Sequence, residues 1–397
     1  MSNEMETRVK SKISTAELER RWKAVRKVMK EKSIDFLIMQ SFSDVLGGYV
    51  KWFTDINAMH SYPVIVIFPR EDDMISIWHG ARLPAKPSPP EWAVRGMKKR
   101  INVPTLPSLD YSNIFMSEEV VKELAPFKNC CVGWLGTGFI SAALYTHVAK
   151  NLTSATFVDA TDYVDTIKAV KSDEEIKFIK ETCTIQDAAF AHVLKIIKPG
   201  MTEHDIYSDI HHTCISMGAE GVNVRTGSAP PGKSVMTWSP YFQNKVIEKD
   251  DQFTVLIESN GPSGFWGEIM RVICLGKVTD ELQKQQEVCV EAQKLALSLL
   301  KPGAKPADMF DANNKFLIGK GYAEERRIFA HGMGYDMVER PAITHEEPMK
   351  IQAGMNIAVH PFVISDKASA HTCSNFIVPA KGDAICLHKT PEKIFTV

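Results

Sequence analysis

Glu258 and Glu268 stand in the two flanks of a short apolar hairpin, Leu256 to Asn260 and Phe265 to Ile269, around a Gly-Pro-Ser-Gly turn at 261–264. An inert hairpin would carry Val or Thr at such places. Paired carboxylates can hold a cation, or exchange protons if one of them is kept from ionising. Glu268 follows the aromatic pair Phe265-Trp266, surroundings expected to raise its pKa and suit it to general acid work near neutral pH. The plainer alternative is an exposed hairpin Glu paired with a Lys. His331 lies in Ala330-His-Gly-Met-Gly334, where glycines let backbone approach a ligand closely. His360 ends the apolar run Asn356-Ile-Ala-Val-His360 and brings a group titrating near pH 6–7, a base or an orienting donor. Either histidine would otherwise be a satisfied core residue. Arg225 and Arg271 are candidate bidentate clamps for a substrate carboxylate, with a structural ion pair as the alternative for Arg271. Arg271 is three residues from Glu268 on one strand, so the two side chains point to opposite faces.

These residues need elements to position them. In the N-terminal part, Ser14-Thr15 followed by Glu17 opens an amphipathic run that reads as a capped helix. Phe36-Leu-Ile-Met39, Pro63 to Pro69, Met74 to Trp78 and Cys130 to Gly136 read as buried strands. Strands alternating with helices predict an α/β layer domain over 1–165. From Ser172, with Glu175 completing a capping box, a long helix opens a second domain over 166–397. That domain repeats itself: a helix, a Lys-Pro-Gly turn and a further helix occur around 198–200 and again around 301–303. The duplication predicts an α+β domain with an internal pseudo-twofold, and sites in such folds commonly lie between the halves.

Composition excludes several functions. The chain has 397 residues, 44% of them hydrophobic and 24% charged, and a net charge of −1. That balance argues for no nucleic-acid partner and no anionic membrane. No apolar run is long enough to span a bilayer. The polar start, Met1 to Lys12, has no apolar core of a secretory leader. The eight cysteines contain no Cys-x-x-Cys pair, so reduced thiols in a cytoplasmic protein are expected.

Five segments in order carry a resemblance: the helix start Lys171 to Ile176, the two Lys-Pro-Gly turns, the hairpin ending Glu268-Ile-Met-Arg271, Ala330 to Gly334, and Ala353 to Pro361. Together they resemble the pita-bread fold family of creatinases, prolidases and methionine aminopeptidases, and with the N-terminal domain the layout is similar to creatinase and prolidase. The metallopeptidases of that family hold two metal ions with two Asp, one His and two Glu. By position these fall on Glu258, Glu268, His331, His360 and, at or beside it, Asn375. A dinuclear site needs bridging carboxylates to offset its charge, and this set is a poor cage for one. The resemblance therefore implies loss of the dimetal site and no cofactor. A mononuclear site of Glu258, Glu268, His331 and His360 is the metal-bearing alternative.

The resemblance further implies a homodimeric enzyme of creatinase or ectoine-hydrolase character. It would hydrolyse a C–N bond of amidine, amide or cyclic imide type in a small polar nitrogenous metabolite without a metal. Activation by positioned side chains alone is expected to act only on bonds more reactive than a peptide. Glu268, His331 and His360 are the catalytic candidates. Substrate contacts fall on Trp238, Trp266, Glu258, Arg271 and Asn375, the two tryptophans forming an aromatic wall worth about 0.5–2 kcal/mol per cation–π contact unless they are core residues. Where creatinase carries its catalytic histidine, this chain has Trp238-Ser239-Pro240. His60 and Tyr62 match a segment that reaches the partner's site in creatinase-like dimers. A dimethylsulfoniopropionate-lyase-like elimination on a sulfonium or ammonium acid is a second reading. A partner-binding protein without activity, like the histone-chaperone members, is a third.

Overall fold

The computed structural model describes residues 12–41, 48–57, 62–81, 91–235, 237 and 244–397. The chain divides into two compact units, Met1–Lys168 and Ala169–Val397.

The first unit is an α/β layer. Strands β1 (Phe36–Ser41), β2 (Val64–Pro69), β3 (Met74–His79), β4 (Met97–Val103), β5 (Cys131–Leu135) and β6 (Thr156–Asp159) form one sheet in the order β4-β3-β2-β1-β5-β6. The β1–β2 and β2–β3 pairs are antiparallel, and the outer pairs are parallel. Helices α1 (Thr15–Glu31), α2 (Tyr49–Thr54), α3 (Ile114–Leu124), α4 (Ala142–Asn151) and α5 (Thr161–Lys168) accompany it. The Ser14 hydroxyl accepts from the Glu17 N–H, the cap expected for α1. One core is built where Ile38, Ile65, Ile67 and Ile77 of the strands meet Met116 and Val120 of α3 and Leu144 and Val148 of α4.

The second unit is built twice over. In its first half, α6 (Asp173–Ile196) and α7 (Glu203–Ser216) pack on β7 (Val222–Ala229), β8 (Gln252–Asn260) and β9 (Trp266–Cys274). In its second half, α8 (Asp280–Leu299) and α9 (Pro306–Gly319) share a core with β10 (Ala330–Gly332), β12 (Asn356–Val359) and β15 (Ser374–Ile377), whose sheet also holds β11 (Glu339–Ala342) and β16 (Ile385–Cys386). A two-stranded ribbon, β13 (Phe362–Ile364) with β14 (Ser369–His371), follows β12, and β17 (Phe395–Thr396) adds to the edge of β9. The sheet orders are β17-β9-β8-β7 and β11-β10-β12-β15-β16.

The Lys-Pro-Gly turns show the pseudo-twofold atom by atom. Gly200 and Gly303 both adopt φ +92°, a conformation that favours glycine, and a Cβ at either would meet nothing within 4 Å. Backbone conformation, not space, demands glycine there. The Gly200 N–H donates to Ile247 O and the Ile247 N–H to Met201 O; the Gly303 N–H donates to Ile351 O and the Ile351 N–H to Ala304 O. Each turn is thus pinned by the same pair of bonds. At the start of α6, Ser172 and Glu175 form the expected capping box. The fold is an N-terminal α/β unit with a C-terminal pita-bread unit. Among the described residues no helix is long and apolar enough to cross a membrane.

Candidate active site

The β8–β9 hairpin is buried along both strands. Alternation sorts its side chains: Val255, Ile257, Ile269 and Ile273 join the apolar core with α6, and Glu258 and Glu268 take the other face. The two carboxylate residues are direct partners in the antiparallel register. Asn223 of β7 pairs with Glu258 on the other side, so Asn223, Glu258 and Glu268 form one row across three strands. The Asn223 Nδ2 donates to Glu258 Oε2 at 2.5 Å. Arg225 follows two residues along β7 on the same face.

The second sheet brings the imidazoles. His331 of β10 pairs with Ala358 of β12, which pairs with Asn375 of β15. Reciprocal backbone bonds between Met270 and Cys373 join the two sheets beside this row. His331 Nε2 lies 3.6 Å from Glu268 Oε2, and its Nδ1 bonds Gly332 O at 2.9 Å. With Nδ1–H donating to a carbonyl, protonation at Nε2 makes the ring an imidazolium facing a carboxylate. His360 follows β12 directly, its N–H donating to Phe329 O, and its ring centroid lies 5.1 Å from that of His331.

Burial and charge then separate the two carboxyls. Burial pushes Glu268 up, but the His331 ring at 3.6 Å and the positive charges of His360 and His331 outweigh it, and the group is held down at about 2. Burial and the negative charge of Glu268 push Glu258 up to about 7, against the pull of His331, Arg225 and Asn223. His331 is raised: burial opposes its charge, yet the neighbouring Glu268 carboxylate prevails. His360 is pulled down to about 4 by burial, with the Glu268 charge opposing. Near neutral pH the centre therefore holds an ionised Glu268 that favours the protonated form of His331, a neutral His360 and a Glu258 in mid-titration. The sequence reading of Glu268 as the raised acid is thereby reversed. Its aromatic neighbours desolvate it, but an imidazolium at 3.6 Å counts for more.

Several other expected site residues have different places. Arg271 is fully buried and all five of its N–H donors are spent. They bond the carbonyls of Met270, Cys373, Thr390 and Pro391 and the Ser374 hydroxyl, so none is left for a substrate carboxylate. That removes Arg271 as a carboxylate clamp. Asn375 is likewise committed: its Oδ1 accepts the Glu268 N–H at 2.7 Å and its Nδ2 donates to Asn356 Oδ1 and Met333 Sδ. It holds the β9 backbone rather than a substrate. Trp266 shares the face of Glu268 but is fully buried at the head of β9. The glycines around His331 make room for protein, not ligand. A Cβ at Gly332 would meet Arg340 O at 2.5 Å, and one at Gly334 the Glu339 carboxylate at 2.4 Å. In the N-terminal unit Tyr62 stacks on His79 at 4.3 Å between centroids. Trp238 and His60 lie outside the described residues.

Three residues of the site escaped sequence reasoning. Asn223 is found by counting the alternation of β7 into register with β8. The Cys373 thiol lies against Glu268, donating to its carbonyl oxygen at 3.7 Å. It occupies the position expected of Asn375, two residues away on the same side of the chain. His371 of β14 is buried and lies within electrostatic reach of His360.

The donor set is tested against a two-ion centre by these same contacts. The Asn375 oxygen is taken by a backbone N–H, and the place beside Glu268 is filled by a thiol that burial and the Glu268 charge hold protonated. Among the described residues no group of three or more His, Cys, Asp and Glu is arranged to hold a metal ion. The residues present do not fit a two-ion centre.

Comparison with known proteins fixes the class. The family model for metallopeptidase family M24 matches residues 177–380. An uncharacterized peptidase of Bacillus subtilis is 25% identical over 259 residues, covering 63% of this chain and 71% of the relative. A Xaa-Pro dipeptidase of Pyrococcus horikoshii is 24% identical over 300 residues, covering 73% of this chain and 84% of the relative. The crystal structure of an X-Pro aminopeptidase of Thermotoga maritima superposes with a TM-score of 0.77 at 20% identity, covering 95% of this chain and 99% of the other, a likeness of fold. These findings overturn the expectation of a metal-free hydrolase of non-peptide C–N bonds. That expectation rested on which ligands had changed, whereas relatives across most of the chain are named as peptidases and the matching family as a metallopeptidase family. The chain is a hydrolase that belongs to metallopeptidase family M24.

Proposed function

We propose that this protein hydrolyses the amide bond of a short peptide, with Xaa-Pro dipeptides as the substrate class indicated by its curated relatives. The observation that carries the reading is Glu258, a buried carboxyl facing an ionised partner and thereby poised near 7. A proton carrier works best when its pKa lies near the operating pH. In its ionised form Glu258 takes a proton from water as the water oxygen bonds the carbonyl carbon. The protonated carboxyl returns that proton to the amide nitrogen as the C–N bond breaks, leaving an acid and an amine. Glu268 holds His331 as an imidazolium, a fixed positive group that favours the negative charge developing on the carbonyl oxygen. His360, neutral beside it, orients the substrate or its water. Arg225 lies on the site face of β7, two residues from Asn223, a place that suits a peptide carboxylate.

Cleavage of Ala-Pro and a panel of other dipeptides, with and without added divalent cations, tests the proposal. Turnover of a dipeptide supports it. Turnover of amidines or cyclic imides with every dipeptide left intact would contradict it. The homodimer implied by the resemblance belongs to the same proposal, and light scattering at twice the chain mass is its expected signature.

A further inference from the structure

Beyond the carboxylate–imidazole row, among the described residues a buried imidazole beside the centre has a ring nitrogen without a hydrogen bond. His371 ends β14, is 5% exposed, and its Nε2 is fully enclosed without a hydrogen bond among the described residues. An enclosed polar atom left unbonded costs about 1–3 kcal/mol, and native proteins rarely leave one without a reason. Its position is specific. Residues 360 and 361 lead directly into β13, and the Thr372 N–H donates back to Pro361 O, which fixes His371 next to the strand that carries His360. The ring stacks on Phe362 at 5.9 Å and 27°, and Phe362 is 38% exposed. The pair therefore runs from a surface aromatic ring inward to a buried imidazole close to His360. Burial, and after it the charge of His360, pulls His371 down to about 4, so the ring stays uncharged through the neutral range.

We propose that His371 is a substrate-contacting residue of this site, its Nε2 bonding the main-chain amide or carbonyl next to the scissile bond while Phe362 packs the neighbouring side chain. The proposal rests on the reading of the Glu258 centre as the active site. An uncharged imidazole suits an uncharged amide group, which it can meet as donor or acceptor according to its tautomer. The binding free energy includes relief of the unmet bond, so removing the imidazole weakens binding more than it slows the chemical step.

The test uses the full chain and Ala-Pro as the probe. In Glu258→Gln protein labelled with 15N at histidine, Ala-Pro is expected to shift the ring signals of His371 and His331 together, with no turnover required. His371→Gln and the shape-filling His371→Phe are expected to weaken Ala-Pro binding about tenfold, and in the otherwise wild-type enzyme to raise KM by a similar factor with a smaller loss of kcat. If His331 responds to saturating Ala-Pro while His371 does not, the substrate role of His371 is overturned and the active-site reading stands. If no site histidine responds to any dipeptide of the panel, both are overturned.

Discussion

Glu258 and Glu268 face each other at one register position of the β8–β9 pair, yet the first is pushed up to about 7 and the second held down at about 2. The difference comes from the second sheet. His331 approaches Glu268 to 3.6 Å, whereas Glu258 is raised by burial and by the charge of its neighbour, against a weaker pull that includes the Asn223 amide. Two identical side chains thus acquire two roles from placement alone.

Glu258→Gln keeps the shape and the Asn223 contact but cannot carry a proton. Its expected effect is a loss of about 10²- to 10⁴-fold in kcat, the usual worth of a general acid–base. Its Tm should be no lower than that of the wild type, because a buried like-charge contact is removed.

Stability should follow the same group. The folded pKa of Glu258 lies above its ordinary value of 4.5, so the folded state binds the proton more tightly and stability falls as pH rises from about 4.5 to about 7. Chemical denaturation across that range should show wild type losing on the order of 1–3 kcal/mol relative to Glu258→Gln. A constant difference between the two proteins would refute the raised pKa.

Arg271 tests the division between site and scaffold. Its guanidinium ties β9 to the segment around Cys373–Ser374 and to Thr390–Pro391. Arg271→Met is expected to cost about 3–5 kcal/mol in unfolding, the scale of a broken buried charged network. The properly folded fraction of that variant should keep the wild-type KM. An Arg271 variant of native stability with a raised KM would restore the clamp.

The donor set bears on metal content. With Asn375 committed to a backbone N–H and Cys373 beside Glu268, the site is expected to take up at most one equivalent of Mn²⁺, Co²⁺ or Zn²⁺ by elemental analysis after dialysis. Two tightly held equivalents would show that the donors rearrange into the complement this structure does not display.

Much of the fold was legible in the chain. The capping pair Ser172–Glu175, the strand runs of the first unit and the duplicated Lys-Pro-Gly turns are local signals, and local physics decided them. Glu258, Glu268, His331 and His360 were also visible as residues, because charged groups in apolar strands demand an explanation. What could not be read was which carboxyl would be raised, since that depends on β10 arriving from the other half of the repeat. The face of Arg271 followed from alternation, but its carbonyl partners near residue 390 lie some 120 positions along the chain. The choice between Asn375 and Cys373 turned on the register set by the Met270–Cys373 bridge, and two residues of the same parity look alike without it. His371 carried no sequence signal beyond being a histidine in a short apolar ribbon.

One of the two facing carboxyls titrates near neutrality because it is buried beside a partner that stays ionised. A ¹³C NMR titration of the glutamate side-chain carboxyls, assigned with Glu258→Gln and Glu268→Gln, measures this directly and needs no substrate. Glu258 is expected to titrate with a midpoint near 7 and to move downward in Glu268→Gln, while Glu268 stays ionised throughout the neutral range. A Glu258 midpoint in the ordinary carboxylate range, unmoved by Glu268→Gln, would contradict the account.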